Sequence, residues 1–219
     1  MIKSFSYEKP ITEILSKFIE IPELPKYTTF LEQRTYENNY LLVQTNTSVN
    51  KIEKINELTE IRDLHINTKI PGYKNNMNDS IVKTLAISLL EEKYRDYQKI
   101  YTDGSKTQNA TGIGIWIEKD KEQISCKLNN KLSIMNVELM AIKIAIELAD
   151  NKEENNFVIC TDSKSGLLSM LNKKFKNNYI IADILMKLKT SNKNIQLQWV
   201  PAHKGLVGNE IADQLSKKG

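Results

Sequence analysis

Apolar and polar residues follow two different arrangements along this chain, and the change comes near residue 98. Beyond it the periods are short and regular. Ile113, Ile115 and Ile117 alternate with Gly114 and Trp116, the period-two mark of a strand over Gly112–Glu118. Lys99–Asp103 and Glu122–Leu128 read as strands on either side, the latter entered through a hairpin turn at Asp120-Lys121. Ile134–Asp150 carries Ala, Leu, Ile and Met throughout and predicts a long helix. Phe157–Thr161 is an apolar run of strand length. Ser163–Leu171 predicts a short helix with Ser163 as N-cap, and Tyr179–Thr190 a longer one. Ile195–Val200 and Asn209–Lys217 complete the order as strand and helix. The sequence βββαβααβα, a hairpin run followed by strands separated by helices, specifies an α/β fold with a mixed sheet.

Before residue 98 the rhythm is looser. A helical pattern occupies Ile11–Phe18 and is broken by Pro22 and Pro25. Residues 40–90 are rich in Asn, Lys and Glu, with loops expected at Asn46–Asn50 and Tyr73–Asp79. Asp79–Tyr94 predicts an amphipathic helix with Ile81, Leu85, Ile87, Leu89 and Leu90 on its apolar positions. His65 stands alone, which favours a solvated or packed histidine over a ligand. The expected organisation is an irregular or helical extension over 1–97 and a folded domain over 98–219.

Composition narrows the class. With 40% hydrophobic and 26% charged residues among 219, the chain reads as a soluble globular protein. No apolar stretch approaches the roughly 18 residues of a membrane span, and Met1–Ser6 leads into no run of signal-peptide type. A soluble, intracellular location is expected, with nucleus and cytoplasm both open. Cys126 and Cys160 lack CxxC spacing and give neither a disulfide framework nor a zinc set. Charge is uneven: residues 1–98 hold 13 Lys+Arg and 14 Asp+Glu, a net of −1, while residues 99–219 hold 18 and 13, a net of +5. If some of those acids hold cations, the remaining surface is basic and suits a polyanion bound through phosphate.

The chemistry sits in four acids. Ile100-Tyr101-Thr102-Asp103 and Val158-Ile159-Cys160-Thr161-Asp162 each run apolar residues into Thr-Asp. One such aspartate commonly caps a turn. Two at the ends of parallel neighbouring strands repel each other unless a cation lies between them. Glu138 shares a helix face with Ala141, Ile142, Ala145 and Ala149, the face that packs on a sheet. A carboxylate there is costly unless paired or metal-bound, although a half-exposed glutamate near a helix start is also an ordinary arrangement. Asp213 lies in the last helix, just after the loop Pro201-Ala202-His203-Lys204-Gly205. A lone loop histidine is usually only solvated, but loops above strand ends commonly carry catalytic groups.

Taken in order, Tyr101-Thr102-Asp103-Gly104-Ser105, Val137-Glu138-Leu139-Met140-Ala141, Thr161-Asp162-Ser163, Trp199-Val200-Pro201-Ala202-His203 and Gly208-Asn209-Glu210-Ile211-Ala212-Asp213 resemble ribonuclease H of type 1 over about residues 98–219. The wording Ile100–Lys106 and Pro201–Gly205 is most similar to the ribonuclease H domain of non-LTR retrotransposons, and the chain reads as the tail of such an element. This resemblance implies a ribonuclease H-like fold with a five-stranded mixed sheet, its first three strands antiparallel and helices on both faces. It implies a hydrolase that cuts the RNA strand of RNA–DNA hybrids. Asp103, Glu138, Asp162 and Asp213 would hold two Mg²⁺ ions, with Mn²⁺ able to substitute, and His203 would assist proton transfer or product release. Gly104, Ser105, Asn136, Ser163, Lys204 and Asn209 would line the bound nucleic acid, with Glu210 beside the site. A parent polyprotein would supply a reverse transcriptase domain as partner, and a monomer without membrane contact is expected. Met170–Tyr179 is too short for the extra basic helix of bacterial relatives, leaving Lys173, Lys174 and Lys176 as a partial substitute. The rival reading is a catalytically inactive hybrid-binding module, the remnant of an element.

Overall fold

Strands form where the β-branched runs demanded them, and the computed structural model describes residues 64–172 and 178–219. Its elements run β1 (Ile66–Asn67), α1 (Asp79–Lys93), β2 (Gln98–Lys106), β3 (Thr111–Ile117), β4 (Glu122–Lys127), α2 (Ile134–Asp150), β5 (Asn156–Thr161), α3 (Lys164–Leu171), α4 (Tyr179–Thr190), β6 (Asn194–Trp199) and α5 (Val207–Ser216). The sheet order is β1-β6-β5-β2-β3-β4. β2, β3 and β4 form an antiparallel meander, turned between β3 and β4 at Lys121, whose φ is 52°. β5 returns parallel to β2, and β6 parallel to β5.

Six strands stand where five were expected. The sixth, β1, pairs in parallel with β6 through Ile66↔Leu197 and Asn67↔Gln198. Without it β6 would present an open row of backbone donors and acceptors. Two residues carry no readable period, so this strand is invisible to pattern analysis. Tyr94 locks the same edge from inside: its hydroxyl donates to Gln198 Oε1 at 2.9 Å and accepts from Asn67 Nδ2 at 3.2 Å.

A second difference concerns β2, which runs on to Lys106 instead of ending at Asp103. β5 stops pairing at Thr102↔Thr161, but β3 accompanies β2 as far as Lys106↔Thr111. Asp103 is therefore inside a strand, at the point where its parallel neighbour ends. A third concerns α1. Its buried positions are Val82, Ala86 and Leu90, a spacing of four, while Ile81 and Ile87 are 50% and 41% exposed. The apolar residues of this helix are more numerous than its buried stripe can accommodate. The expected helix over Ile11–Phe18, the loop at Asn46–Asn50 and the lysines at 173, 174 and 176 lie outside the described residues.

Helices cover both faces of the sheet. α2 is buried almost all round, with Val137, Leu139, Ala141, Ile142, Ala145, Ile146 and Ala149 fully enclosed beside Ile113, Ile115 and Ile117. Its one buried cation, Lys143, meets Asp183 of α4 at 2.6 Å. The opposite face receives α5. There Gly114 has no side chain because none fits: a β-carbon would lie 2.0 Å from the Ala212 carbonyl oxygen and 2.5 Å from the Ser216 nitrogen. No helix of the described residues is long and apolar enough to cross a membrane.

The glycine contact is with backbone, which cannot swing aside. Gly114→Ala should therefore lower stability by about 1–3 kcal/mol, the usual cost of overpacking, read as a lower urea midpoint at unchanged m-value. An unchanged midpoint would show that α5 has room to retreat.

Candidate functional site

The β2–β5 register places the first two acids. Thr102 faces Thr161, and the next residue on each strand is aspartate. Glu138 arrives from the second turn of α2, a helix capped by Ser133, whose side chain accepts from the Asn136 amide. A β-carbon on Gly104 would sit 2.9 Å from the Glu138 nitrogen, so only glycine lets this turn close on the strand. As a result carboxylate oxygens of Asp103, Glu138 and Asp162 all lie within 4.8 Å of one another. It is the only such acidic, histidine or cysteine group among the described residues.

The surroundings make this cluster electrostatically costly. Burial pushes the Glu138 carboxyl up to about 9, and the Asp103 and Asp162 charges add to this; the Gly104 backbone hydrogen bond opposes it. Burial likewise raises Asp103 to about 6, against the Ser216 hydroxyl, which donates to Asp103 Oδ2 at 2.5 Å. Asp162 is raised by burial, while Asn209 Nδ2, donating to its Oδ2 at 3.2 Å, and the nearby His203 pull it back. Glu138 Oε2 is buried with no hydrogen-bond partner. An orphaned carboxylate oxygen beside two further carboxylates suits a hard divalent cation, which prefers such oxygens and lowers their proton affinity.

Asp213 stands apart from the three. Its carboxylate pairs with Lys217 at 2.7 Å, one turn along α5, though its charge still bears on Asp103 and Asp162. His203 is exposed in the loop after β6, with a left-handed φ of 51°. The neighbouring Lys204 is ion-paired with Asp79 at 2.5 Å. Of the remaining residues, Ser105 gives its hydroxyl to the Ser216 carbonyl at 2.6 Å. Asn136 is buried and accepts from Asn178 Nδ2 at 3.2 Å. Asn209 is buried, with Oδ1 unpartnered. Ser163 is the N-cap residue of α3, as expected, although its side chain makes no capping bond. Glu210 Oε1 accepts from the Gly205 amide at 3.2 Å. His65 is exposed, in keeping with a solvated histidine.

Two groups at the site were missed by sequence reasoning. Ser216 holds Asp103 across 113 residues, and nothing local marks it beyond lying three residues after Asp213. Trp199 donates from its indole to the Asp162 carbonyl at 3.3 Å, fixing the turn that follows β5.

The chain is similar in sequence to known proteins. The chain is 27% identical to human Ribonuclease H1 over 67% of its length and 58% of that protein's. It is 30% identical to Ribonuclease H of Saccharomyces cerevisiae over 58% of its length and 46% of that protein's. The rat Ribonuclease H1 gives 27% over 68% and 59%. The chain thus spans about half the length of these curated relatives. The profile of the family described as RNase H matches residues 95–219. That stretch takes in more than half the chain and all the carboxylates of the site, and the chain belongs to the RNase H family.

Proposed function

We propose that this chain is a Mg²⁺-dependent endonuclease that hydrolyses the RNA strand of RNA–DNA hybrids by a two-metal mechanism. The observation that carries the reading is the convergence of Asp103, Glu138 and Asp162 from three separate elements, with Glu138 Oε2 left without a protein partner. Asp103, Glu138, Asp162 and Asp213 would hold two Mg²⁺ ions (or Mn²⁺ in their place), which would supply an acidified nucleophilic water and charge neutralisation at the leaving oxygen.

The chain's own groups supply the rest. Ser216 fixes Asp103 by one carboxylate oxygen and leaves the other for the cation. Asn209 does the same for Asp162. Gly104 brings its amide to Glu138 and keeps the floor of the site narrow. Asp213 completes the acidic set from the rim, exchanging Lys217 for a cation. His203, on its exposed loop near Asp162, assists proton transfer or departure of the product. Cleavage leaves a 3′-hydroxyl and a 5′-phosphate. Asn136, at the N-terminus of α2, and the Gly104–Ser105 backbone read the 2′-hydroxyl in the wide minor groove of the hybrid. Ser163 and Lys204 line the same path. With four acids engaged, 18 lysines face nine remaining acids over residues 99–219, a balance that attracts phosphate. The wording Ile100–Lys106 and Pro201–Gly205 supports an origin in a non-LTR retrotransposon, with a reverse transcriptase domain as partner in the parent polyprotein.

Replacing Asp162 with Asn should abolish Mg²⁺-dependent cleavage of a hybrid while single- and double-stranded RNA remain uncut in either protein. Retained hybrid cleavage by the variant would sink the assignment, and an inactive wild type that still binds hybrid would favour the binding-module reading. Ser216→Ala should weaken Mg²⁺ about 10–100-fold, as loss of a group orienting a ligand does, measured by calorimetric titration.

The raised carboxylates also set a pH dependence. Without divalent cations the native protein keeps protons on Asp103 and Glu138 that the unfolded chain has released. Its stability should therefore fall as pH rises from the ordinary carboxylate range towards about 9. Glu138→Gln should flatten that decline, and Mg²⁺ should oppose it most strongly at the alkaline end. Thermal midpoints across pH, with chelator and with Mg²⁺, give the slopes; identical slopes for variant and wild type in chelator would refute the account.

A further inference from the structure

The family match begins at residue 95, yet earlier residues touch the site at two independent points. Asp79, the first residue of α1, holds Lys204 at 2.5 Å across 125 positions of sequence. One turn along α1, Lys83 lies over Gly205, its Nζ 3.4 Å from where a β-carbon on that glycine would be. The second point is Tyr73, in the loop before α1. Its ring meets Trp199 in a T-shaped contact, centroids 5.2 Å apart and planes at 71°. Trp199 is the residue whose indole N–H binds the Asp162 carbonyl, and the Lys164 ammonium sits 4.3 Å from its ring centroid.

These contacts fall where the backbone needs them. His203 has φ 51° and Gly205 φ 73°. The left-handed region is disfavoured for a residue with a β-carbon and persists only where its surroundings over-determine it. From the α5 side Glu210 restrains the loop through the Gly205 amide. From the other side the restraint is Asp79 acting on Lys204. The loop is thus clamped between a helix of the matched domain and a helix that precedes it.

We infer that residues 64–94 are a positioning element of the cleavage site, in which Asp79 sets the His203 loop through Lys204 and Tyr73 sets the Asp162 turn through Trp199. This rests on the nuclease reading given above. Asp79 acts through Lys204 of the His203 loop, and Tyr73 through Trp199, which holds the Asp162 carbonyl. The effect belongs to the chemical step, where small misplacements of catalytic groups are costly, and not to hybrid affinity.

The test uses the full chain with Asp79→Lys, Asp79→Glu and Tyr73→Ala, and Ile87→Ser on the exposed side of α1 as control. Two readouts are taken: kcat and KM on an RNA–DNA hybrid with Mg²⁺, and NMR of the His203 ring with hydrogen exchange at residues 202–206, His65 serving as internal reference. Asp79→Lys should lower kcat about three- to tenfold without raising KM, speed exchange in the loop and move the His203 signal. Asp79→Glu should restore all three, and Tyr73→Ala should lower kcat by a similar factor. Asp79 is exposed, so its reversal leaves the fold intact and decides the matter even if Tyr73→Ala unfolds. The inference is overturned if Asp79→Lys matches Ile87→Ser, or if kcat falls while the loop signals stay put. A wild type that cuts no hybrid would overturn the nuclease reading instead, and the loop signals would still judge the role of Asp79.

Discussion

The carboxylates of Asp103, Glu138 and Asp162 lie within 4.8 Å of one another where little water can screen them. Holding a group such as Glu138 at about 9 means that its ionised form is disfavoured by several kcal/mol. A surface cluster would relieve that strain by swinging its side chains apart. Here the backbones that carry Asp103 and Glu138 are pressed together, which limits how far the carboxylates can separate. Gly104 admits the N-terminal end of α2, at Val137 and Glu138, against β2, and Gly114 admits α5 against β3. Tight packing and electrostatic cost are one design: the first enforces the second, and a cation bound among the three acids would offset it.

The position of the cluster follows from the sheet. β2 is paired antiparallel on one side and parallel on the other, and β5, its parallel neighbour, stops one residue before Asp103. The notch left by the shorter strand is where the acids gather. Asp103 and Ser216 meet on the α5 face, and Glu138 reaches in from α2 on the opposite face. The site therefore straddles the sheet at its change of direction, the usual place for ligands in α/β folds. Any shift of either helix changes the spacing of the carboxylates directly.

Much of this was legible along the chain. α2 occupies Ile134–Asp150, the span that its composition marks, since ten of its seventeen residues are Ala, Leu, Met, Glu or Lys and neither Gly nor Pro interrupts them. Asp103 and Asp162 were legible because two apolar runs lead into the same Thr-Asp, and parallel pairing of β2 with β5 brings equal positions together. What escaped was non-local. β1 is too short to have a period, and its existence depends on the exposed edge of β6. The buried stripe of α1 depends on which side meets the sheet, so Ile81 and Ile87 read as core and are not. Ser216 matters only because α5 lies across β2, a fact of packing without a local signature. Asp213 was placed with the other acids by family wording, and its pairing with Lys217 shows why periodicity alone could not place it.

The Asp79–Lys204 contact raises a question of magnitude. Both side chains are partly open to water, and such pairs contribute about 0.2–1 kcal/mol to folding. Against the stability of a whole domain that is negligible. Against the loop it is not, because the left-handed backbone at His203 costs about 1–2 kcal/mol relative to its right-handed alternatives. Two terms of nearly equal size compete over a few residues, so a weak surface bond can decide which loop conformation dominates. Weak contacts are poor evidence for stability, but where a strained segment carries a functional group they are where control over function concentrates.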